Sequence, residues 1–394
     1  ETIADDATRK WIDFEVTGDK TQQDDQRRKA ENDPAGEAER MADPDERQKR
    51  VKSAGKLDKV KALRDDQSRL EVQDRFYNMA RNDGFFGRSH LFYDFAGGMG
   101  FEANSGELKT SIGTGRDLIS RRKIAKGSFN AIRCIEPVWC YPTNYNAMNP
   151  LRADWYNPQY WFVMGQEVHV SRIPAFVGHP VPDLLKPAYS FGGLSLSQMA
   201  KPYVDIWLQT RESVGALIHS FSVMVLMTDM QTILQPNDVS GLLTRVAMFN
   251  ALRDNQGTFV LNKNSEDFKN VSASLSGLHE LQAQAQEHVA SVVRIPLVKF
   301  TGMQPSGLNA SAEGEINVYD DTISAYQNRF MRPELTRVVN FEQLSLWGQI
   351  DPEITIVFNP LRQMTEKERG EKQERDAKRD QVYIDSGVLS PGEV

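Results

Sequence analysis

Three long helical patterns in the second half of the chain restrict its fold more than any other feature of the sequence. Apolar residues recur at spacings of three and four over about 195–221, 275–293 and 316–347. Each run predicts a helix with one apolar stripe. The first helix would be roughly 40 Å long, at about 1.5 Å per residue.

A loop rich in glycine and proline separates the second and third helices, over residues 296–315. About 20 residues is long for an ordinary connection between helices. We therefore expect a loop with a function of its own, the alternative being a simple connection.

Two prolines fall within the helical patterns. Pro202 either sets the first turn of the first helix or bends it. Pro333 lies inside an otherwise unbroken pattern, where its ring removes one main-chain hydrogen bond and clashes with the preceding turn. We predict a kink at Pro333.

The first half of the chain is more varied. Residues 17–50 are almost without hydrophobic side chains and predict a solvated helix or a mobile insert rather than a specific partner arm. Residues 57–80 predict one amphipathic helix that stops at Asn82-Asp83-Gly84. A further helix is predicted around 239–254. Aromatic and β-branched residues predict strands at 89–95, 132–141, 160–170, 258–261 and 354–358. The fold class is α+β.

Composition argues against several classes of protein. The chain has 47 basic and 54 acidic residues and a net charge of −7, the reverse of a protein that grips nucleic acid through its phosphates. Two cysteines, Cys134 and Cys140, cannot staple 394 residues, and we expect two buried thiols. The longest apolar run, 221–227, is too short to cross a membrane, so we expect a soluble protein that is a trimmed segment, since it starts at Glu1.

No catalytic constellation is visible. Gly113 and Gly115 resemble half of a dinucleotide loop but lack the third glycine, and there is no Walker motif. His279 and His288 are nine residues apart, the wrong spacing for a metal pair on a helix. Adjacent acids such as Asp320 and Asp321 diverge on a helix surface. We predict no catalytic residue, no metal and no cofactor.

The order of elements after residue 190 resembles the portal proteins of tailed bacteriophages, in the branch related to siphophage portals. Three features carry the resemblance: Ile295-Pro296, the Ser-Gly-Leu-Asn-Ala sequence at 306–310, and the Arg332-Pro333 helix. The resemblance is good over about 130–394 and weak before 85. The carboxyl end looks cut short, because members usually continue into a helical crown.

The resemblance implies a portal fold with a part for each segment. The parts are a β-rich wing at 1–194 with a charged insert or arm at 17–56, stem helices at 195–221 and 275–294, a small α/β clip at 222–274, a tunnel loop at 295–315, a kinked tunnel helix and wing strand at 316–362, and the start of the crown at 363–394.

The tunnel loop would face the DNA in such a channel. Its predicted lining is Lys299, Gly302, Gln304, Ser306, Gly307, Asn309, Glu313, Gly314 and Glu315. Glycines give such a loop freedom, and acidic side chains repel phosphates and keep a duplex centred.

The resemblance also implies the partners. These are further copies in a ring, usually of twelve, the major capsid and scaffolding proteins, the terminase large subunit, a head–tail adaptor and passing double-stranded DNA, with no membrane. The place would be the portal vertex of the virion, and the host cytoplasm before assembly.

Two alternatives stay open at this stage. Another head–tail connector or structural ring protein explains the helices equally well but not the 292–333 pattern. A nuclease or phosphodiesterase is the other alternative. Some relatives carry an added carboxyl-terminal phosphodiesterase with paired His-x-Thr motifs. Here a single His169-Val-Ser171 comes close, so we do not expect that activity.

Overall fold

A computed structural model describes most of the chain, namely residues 1–16, 44–95, 108–112, 124–220, 222–228, 239–251, 266–272, 276–302, 312–362 and 366–385. The chain divides into two compact units. The first unit comprises residues 1–200 and 290–394, and the second comprises residues 201–289. Both boundaries fall within long helices.

Helices make up most of the described residues, and several of them match the sequence pattern closely. They are α1 (Thr2–Arg9), α2 (Pro44–Arg69), α3 (Val72–Phe86), α4 (Leu196–Ser220), α5 (Val239–Ala251), α6 (Leu278–Val293), α7 (Leu297–Thr301), α8 (Ala312–Tyr326), α9 (Arg332–Trp347) and α10 (Glu366–Asp385). Ser195 caps α4, since its Oγ accepts a hydrogen bond from the Gln198 amide at 3.1 Å.

The described strands pair antiparallel in small sheets. They are β1 (Ile12–Val16), β2 (Ser89–Phe95), β3 (Phe129–Ile135), β4 (Cys140–Pro142), β5 (Tyr160–Val163), β6 (Gln166–His169), β7 (Ala175–Phe176), β8 (Ser222–Thr228), β9 (Glu266–Ser272) and β10 (Ile354–Phe358). The sheet orders are β1-β10, β3-β2-β7, β4-β5-β6 and β8-β9. The predicted α+β class is confirmed.

The core of the first unit forms where β2 and β3 pack against α9. Tyr93 and Phe129 meet the ring of Phe341 edge-on, with centroids 5.2 and 6.0 Å apart, and Phe95 stacks on Phe129 at 4.9 Å. Aromatic pairs of this kind add stability beyond the area they bury. Strand β2 is covered on both faces, since Tyr93 and Phe92 pack into different core clusters, and its polar residues Ser89, His90 and Asp94 are buried as well.

The single helix predicted over 57–80 is wrong: the structure has two helices, α2 and α3, with a break at Glu71. Glu71 takes a left-handed conformation, with φ of 53°. The break lets Leu70 and Val72, on either side of it, both enter the core. The predicted stop at 82–84 is also wrong, because α3 continues to Phe86 and Gly87 (φ 79°) provides the left-handed cap.

Two predicted strands are in fact interrupted. Pro137 starts a short 3-10 helix, Pro137–Trp139, that separates β3 from β4, because its ring cannot continue the ladder. The segment 160–170 is a hairpin of β5 and β6. Its turn, Met164-Gly165, has positive φ at both residues, as the favoured two-residue hairpin turn requires.

The second unit contains a two-stranded sheet and helical segments. In the sheet β8 pairs with β9 from Ser222–Ser272 to Thr228–Glu266. Helix α5 confirms the helix predicted around 239–254, ending at Ala251. Several other predictions lie outside the described residues: the strand at 258–261, most of the charged segment 17–56, and the loop at Gly113 and Gly115.

A close backbone contact joins the end of α3 to the start of α4. The Gly193 amide donates to the Gly87 carbonyl at 2.8 Å. A Cβ on Gly193 would lie 2.0 Å from the His179 carbonyl oxygen, and one on Gly87 would lie 2.2 Å from the Gly193 oxygen. Neither position has room for a side chain.

Gly193→Ala is predicted to lower the free energy of unfolding by at least about 2 kcal/mol, since backbone must move to admit the methyl group. Gly215 lies inside α4 with open space around its Cβ position. Gly215→Ala should therefore stabilise the protein by about 0.5–1 kcal/mol. Chemical denaturation of both variants measures these changes. Equal denaturation midpoints for the two variants would contradict the close packing at Gly193.

Candidate functional site

The candidate site is the segment that sequence analysis predicted as a loop over 296–315. Its ends are helical: α7 occupies Leu297–Thr301 and α8 begins at Ala312. The predicted loop was therefore too long at both ends, because Pro296 is the N-cap of the short helix α7 and because α8 begins about one turn before Ile316.

Two backbone features fix the chain at the start of the segment. Arg294 takes a positive φ of 55°, which turns the chain out of α6 into Pro296. Gly302 ends α7 with φ of 73°, and its amide donates to the Val298 carbonyl at 2.9 Å. Gly302 therefore serves as a helix cap, a conformation that glycine adopts without strain.

Lys299 does not lie in a loop. Its ammonium donates to the Asp6 carboxylate at 2.9 Å, lies 4.0 Å from Asp320, and sits 4.4 Å from the ring centre of Tyr319. The side chain is 22% exposed. The charge of Lys299 is paired within the chain, and its role in lining a channel stays a prediction.

Asp6 joins the two ends of the segment. Its Oδ2 accepts hydrogen bonds from Lys299 on α7 and from the Tyr319 hydroxyl on α8, both at 2.9 Å, and its Oδ1 lies 3.3 Å from Arg9. Burial, followed by the charge of Asp6, raises the pKa of Tyr319. The hydroxyl thus stays protonated and can donate.

Helix α1 has a second contact with the same long helical run. Gln327, which is 1% exposed, donates to the carbonyl of Ala7 at 2.8 Å. Asp6 and Ala7 are adjacent on α1, whereas Tyr319 and Gln327 are about two turns apart. Helix α1 therefore acts as a clamp on both feet of the candidate loop.

The run from α8 to α9 changes its hydrogen-bond pattern before Pro333. Residues Gln327–Met331 form a π-helical segment, and Pro333 follows in the first turn of α9. A π segment widens the turn at the place where proline cannot donate. The kink angle predicted at Pro333 stays a prediction. Arg332 holds this point, donating to the Ile356 carbonyl at 2.7 Å.

A buried carboxylate lies beside the same π segment. Asp83 on α3 accepts a hydrogen bond from the Gly178 amide at 2.8 Å and another from the Tyr326 hydroxyl. Burial raises the pKa of Asp83 to about 7, although both hydrogen bonds act to lower it. The segment that follows β7 and the end of helix α8 therefore meet at one titratable side chain.

The other predicted loop residues are placed as follows. Glu315 and Gly314 are exposed on α8, and Glu313 lies on the same helix, with its side chain outside the described residues. Outside the described residues altogether are Gln304, Ser306, Gly307 and Asn309. Their role in lining a channel stays a prediction.

The described residues hold no group of three or more histidine, cysteine or acidic side chains suited to a metal ion. Cys134 and Cys140 are free thiols on different strands, and burial raises the pKa of Cys140 to about 12. His169 Nδ1 lies 2.8 Å from the Ser171 hydroxyl and accepts from the Ser171 amide. These contacts close a local turn.

Sequence reasoning missed the residues that organise this site. Asp6, Asp83 and Gln327 carry no motif, and α1 has only eight residues, too few for a periodicity signal. Gly178 had a weak signal as a glycine near a strand. Each of these residues contacts a partner that is distant in the sequence, as Asp6 contacts Lys299.

Comparison with known proteins settles the family. A family model described as phage portal protein matches residues 1–382. The chain belongs to the phage portal protein family, and the resemblance predicted from residues 292–333 is confirmed.

Curated relatives match over part of their length. Two proteins named anti-CBASS protein Acb1 are 25% identical over 235 residues, in Sphingomonas paeninsulae, and 26% identical over 251 residues, in Caulobacter sp. (strain RHG1). The alignments cover 57% and 59% of this chain but 37% and 40% of those proteins. The chain thus spans about two fifths of the curated relatives.

Solved structures with some likeness include a portal protein of an HK97-family phage from Corynebacterium diphtheriae, at 12% identity and a TM-score of 0.34, covering 73% of this chain and 78% of that one. The neck of an empty GTA particle gives 17% identity and a TM-score of 0.39, covering 81% of this chain and 76% of that one.

Among the described residues, none of the helices combines the length and hydropathy that a bilayer crossing requires.

Asp6→Ala is predicted to lower the free energy of unfolding by about 1–3 kcal/mol, because it leaves Lys299 and the Tyr319 hydroxyl without their acceptor. Asp5→Ala, at the exposed neighbouring position, should change it by less than about 0.5 kcal/mol. Thermal and urea unfolding of the two variants provide the measurement. Equal losses would show that α1 does not clamp the loop.

Proposed function

We propose that the chain is the ring-forming subunit of a portal vertex, through which double-stranded DNA enters and leaves a capsid. Family membership supports the general role. The observation that supports the more specific role, a DNA channel, is the clamp that α1 forms on the segment between α7 and α8. Both ends of that segment are fixed to one buried carboxylate, Asp6, so the residues between them are presented from a firm base.

The charge of this segment suits passage of DNA without retention. Residues 295–321 contain one basic residue, Lys299, and four acidic ones, Glu313, Glu315, Asp320 and Asp321. Lys299 is paired with Asp6. Repeated around a ring, the acidic excess would form a negative collar, which repels phosphates and leaves a duplex free to slide.

The segment assignment is part of the same proposal. Residues 1–194 would be the wing, 195–221 and 275–294 the stem helices, 222–274 the clip, 295–315 the tunnel loop, 316–362 the tunnel helix with its wing strand, and 363–394 the start of the crown. The second compact unit, 201–289, supports treating stem and clip as one module.

The partners follow from this placement. The clip would meet the terminase large subunit during packaging and the head–tail adaptor afterwards, and the wing would face the major capsid and scaffolding proteins. The subunits would assemble in the host cytoplasm and act in the virion.

The purified protein is predicted to form a closed ring of about twelve copies with a central channel, with a mass on the order of half a megadalton. Negative-stain images and light scattering measure this directly. Twofold dimers or monomers without a channel at micromolar concentration would overturn the proposal.

The paired substitution Glu313→Lys and Glu315→Lys should leave the ring intact, because exposed charges contribute little to folding. It should add DNA affinity that falls steeply with salt and should slow or block packaging. DNA binding at low salt and packaging of a reporter genome are the two measurements.

The matched control is Asp58→Lys with Asp65→Lys, at exposed positions of α2, which changes the net charge equally. If the control variant gains the same affinity, or the loop variant packages at the parent rate, the loop does not face DNA.

A further inference from the structure

Within the part of the chain that the structure describes, Asp83 is a buried carboxylate with no basic side chain paired to it. It is 3% exposed, and in the described part of the first unit its hydrogen bonds come from an amide and a hydroxyl. A buried carboxylate is costly unless a cation or several donors compensate for lost hydration. Its presence at one end of α3 therefore calls for an explanation.

The packing around Asp83 is closed on the Gly178 side. A Cβ at Gly178 would lie 2.3 Å from Asp83 Oδ2 and 3.4 Å from the Tyr326 ring. The glycine lets the segment after β7 approach so closely that the Gly178 amide reaches the carboxyl. At Asp83, Gly178 and Tyr326, helix α3, the segment after β7 and helix α8 thus come together.

Tyr326 is the last residue of α8, immediately before the π segment Gln327–Met331. Its ring contacts Phe176 edge-on at 5.9 Å and lies 5.6 Å from Phe330. The interaction of the Tyr326 hydroxyl with Asp83 therefore fixes the end of α8, where the α-helical hydrogen bonds give way to the π segment. We call this interaction the hold on α8.

A cleft of about 750 Å³ opens beside Asp83 and Tyr326, so water can reach the carboxyl if the contact loosens. Charged and titratable groups border the cleft from each surrounding element. These are Glu1 at the start of α1, Arg81 of α3, Glu136, His179, Arg294, and Tyr319 of α8.

The neutral and ionised forms of Asp83 differ in their hydrogen bonds and in their need for hydration. A neutral carboxyl accepts from the Gly178 amide through one oxygen and donates to Tyr326 Oη through the other, since a tyrosine hydroxyl can also accept. An ionised carboxylate accepts from both groups but leaves a charge in an apolar site, which entry of water would relieve.

We infer that Asp83 is a positioning residue that makes the hold on helix α8 proton-dependent. The neutral carboxyl fixes Tyr326 and the π segment against α3 and the segment that follows β7. The ionised carboxylate admits water from the cleft and loosens them, and the proton is exchanged with that water.

The direction with pH follows from linkage. Burial raises the pKa of Asp83 to about 7 from an ordinary value of 3.8, so the closed state binds more protons than an opened one. Its contribution to stability is complete below the ordinary value and is lost as pH rises through the folded value. Between pH 6 and pH 8 the population of the opened contact should rise about tenfold.

Hydrogen exchange of peptides from 312–331 at pH 6 and pH 8, corrected for intrinsic exchange rates, tests the inference on the assembled protein. The parent should lose about tenfold in protection at pH 8. Asp83→Asn keeps both hydrogen bonds without a charge, so its protection should be the same at both pH values. Tyr326→Phe should remove most of the pH response, because the hold itself is gone.

Asp94→Asn is the matched control. Asp94 is also buried with a raised pKa, but it is on β2 and paired with Arg133. That variant should keep the parent's response for residues 312–331. A parent with equal protection at both pH values, or Asp83→Asn with the parent's full response, would overturn the inference.

Only the consequence for a channel rests on the proposed function: a loosened α8 would move the foot of the tunnel loop. Exchange measures the hold on α8 whether or not a ring forms. Failure of the ring to assemble would thus count against the proposed function alone.

Discussion

The carboxylate of Asp6 is the interaction on which the organisation of the candidate loop depends. One oxygen accepts from an ammonium before the loop and from a phenol after it, so the two feet are held at a fixed separation. Both donors are largely shielded from water, where a charge-assisted hydrogen bond is stronger than at the surface. A short helix that has little hydrophobic surface of its own thereby becomes part of the core.

Polar contacts that are buried or partly buried recur along the long helical run that follows. Gln327 reaches the Ala7 carbonyl, Tyr326 reaches Asp83, and Arg332 reaches the Ile356 carbonyl. Each fixes one turn of the run to a different element, around a π segment that an α-helix would not normally contain. Hydrogen bonds are directional, so they set the rotation and height of the helix more closely than apolar packing alone.

Much of this fold could be predicted from sequence wherever a period was repeated often enough. Strands β2 and β10 have the predicted bounds, because each alternates or fills both faces over five or more residues. The break at Glu71 could not be foreseen, since no glycine or proline stands there. The clamp could not be foreseen either, because Asp6 and Lys299 are 293 residues apart and neither belongs to a local pattern.

The contact between Gly87 and Gly193 has a consequence for how this protein can vary. Side-chain contacts can be retuned by substitution, one methyl group at a time. At this joint both partners are bare backbone, and every alternative residue meets a carbonyl oxygen within 2.2 Å. Evolution can therefore alter this point only by rerouting the chain, through insertions or deletions in the segments on either side. The contact between Gly87 and Gly193 fixes the path of the backbone, whereas the side chains on the surrounding surfaces are free to diverge.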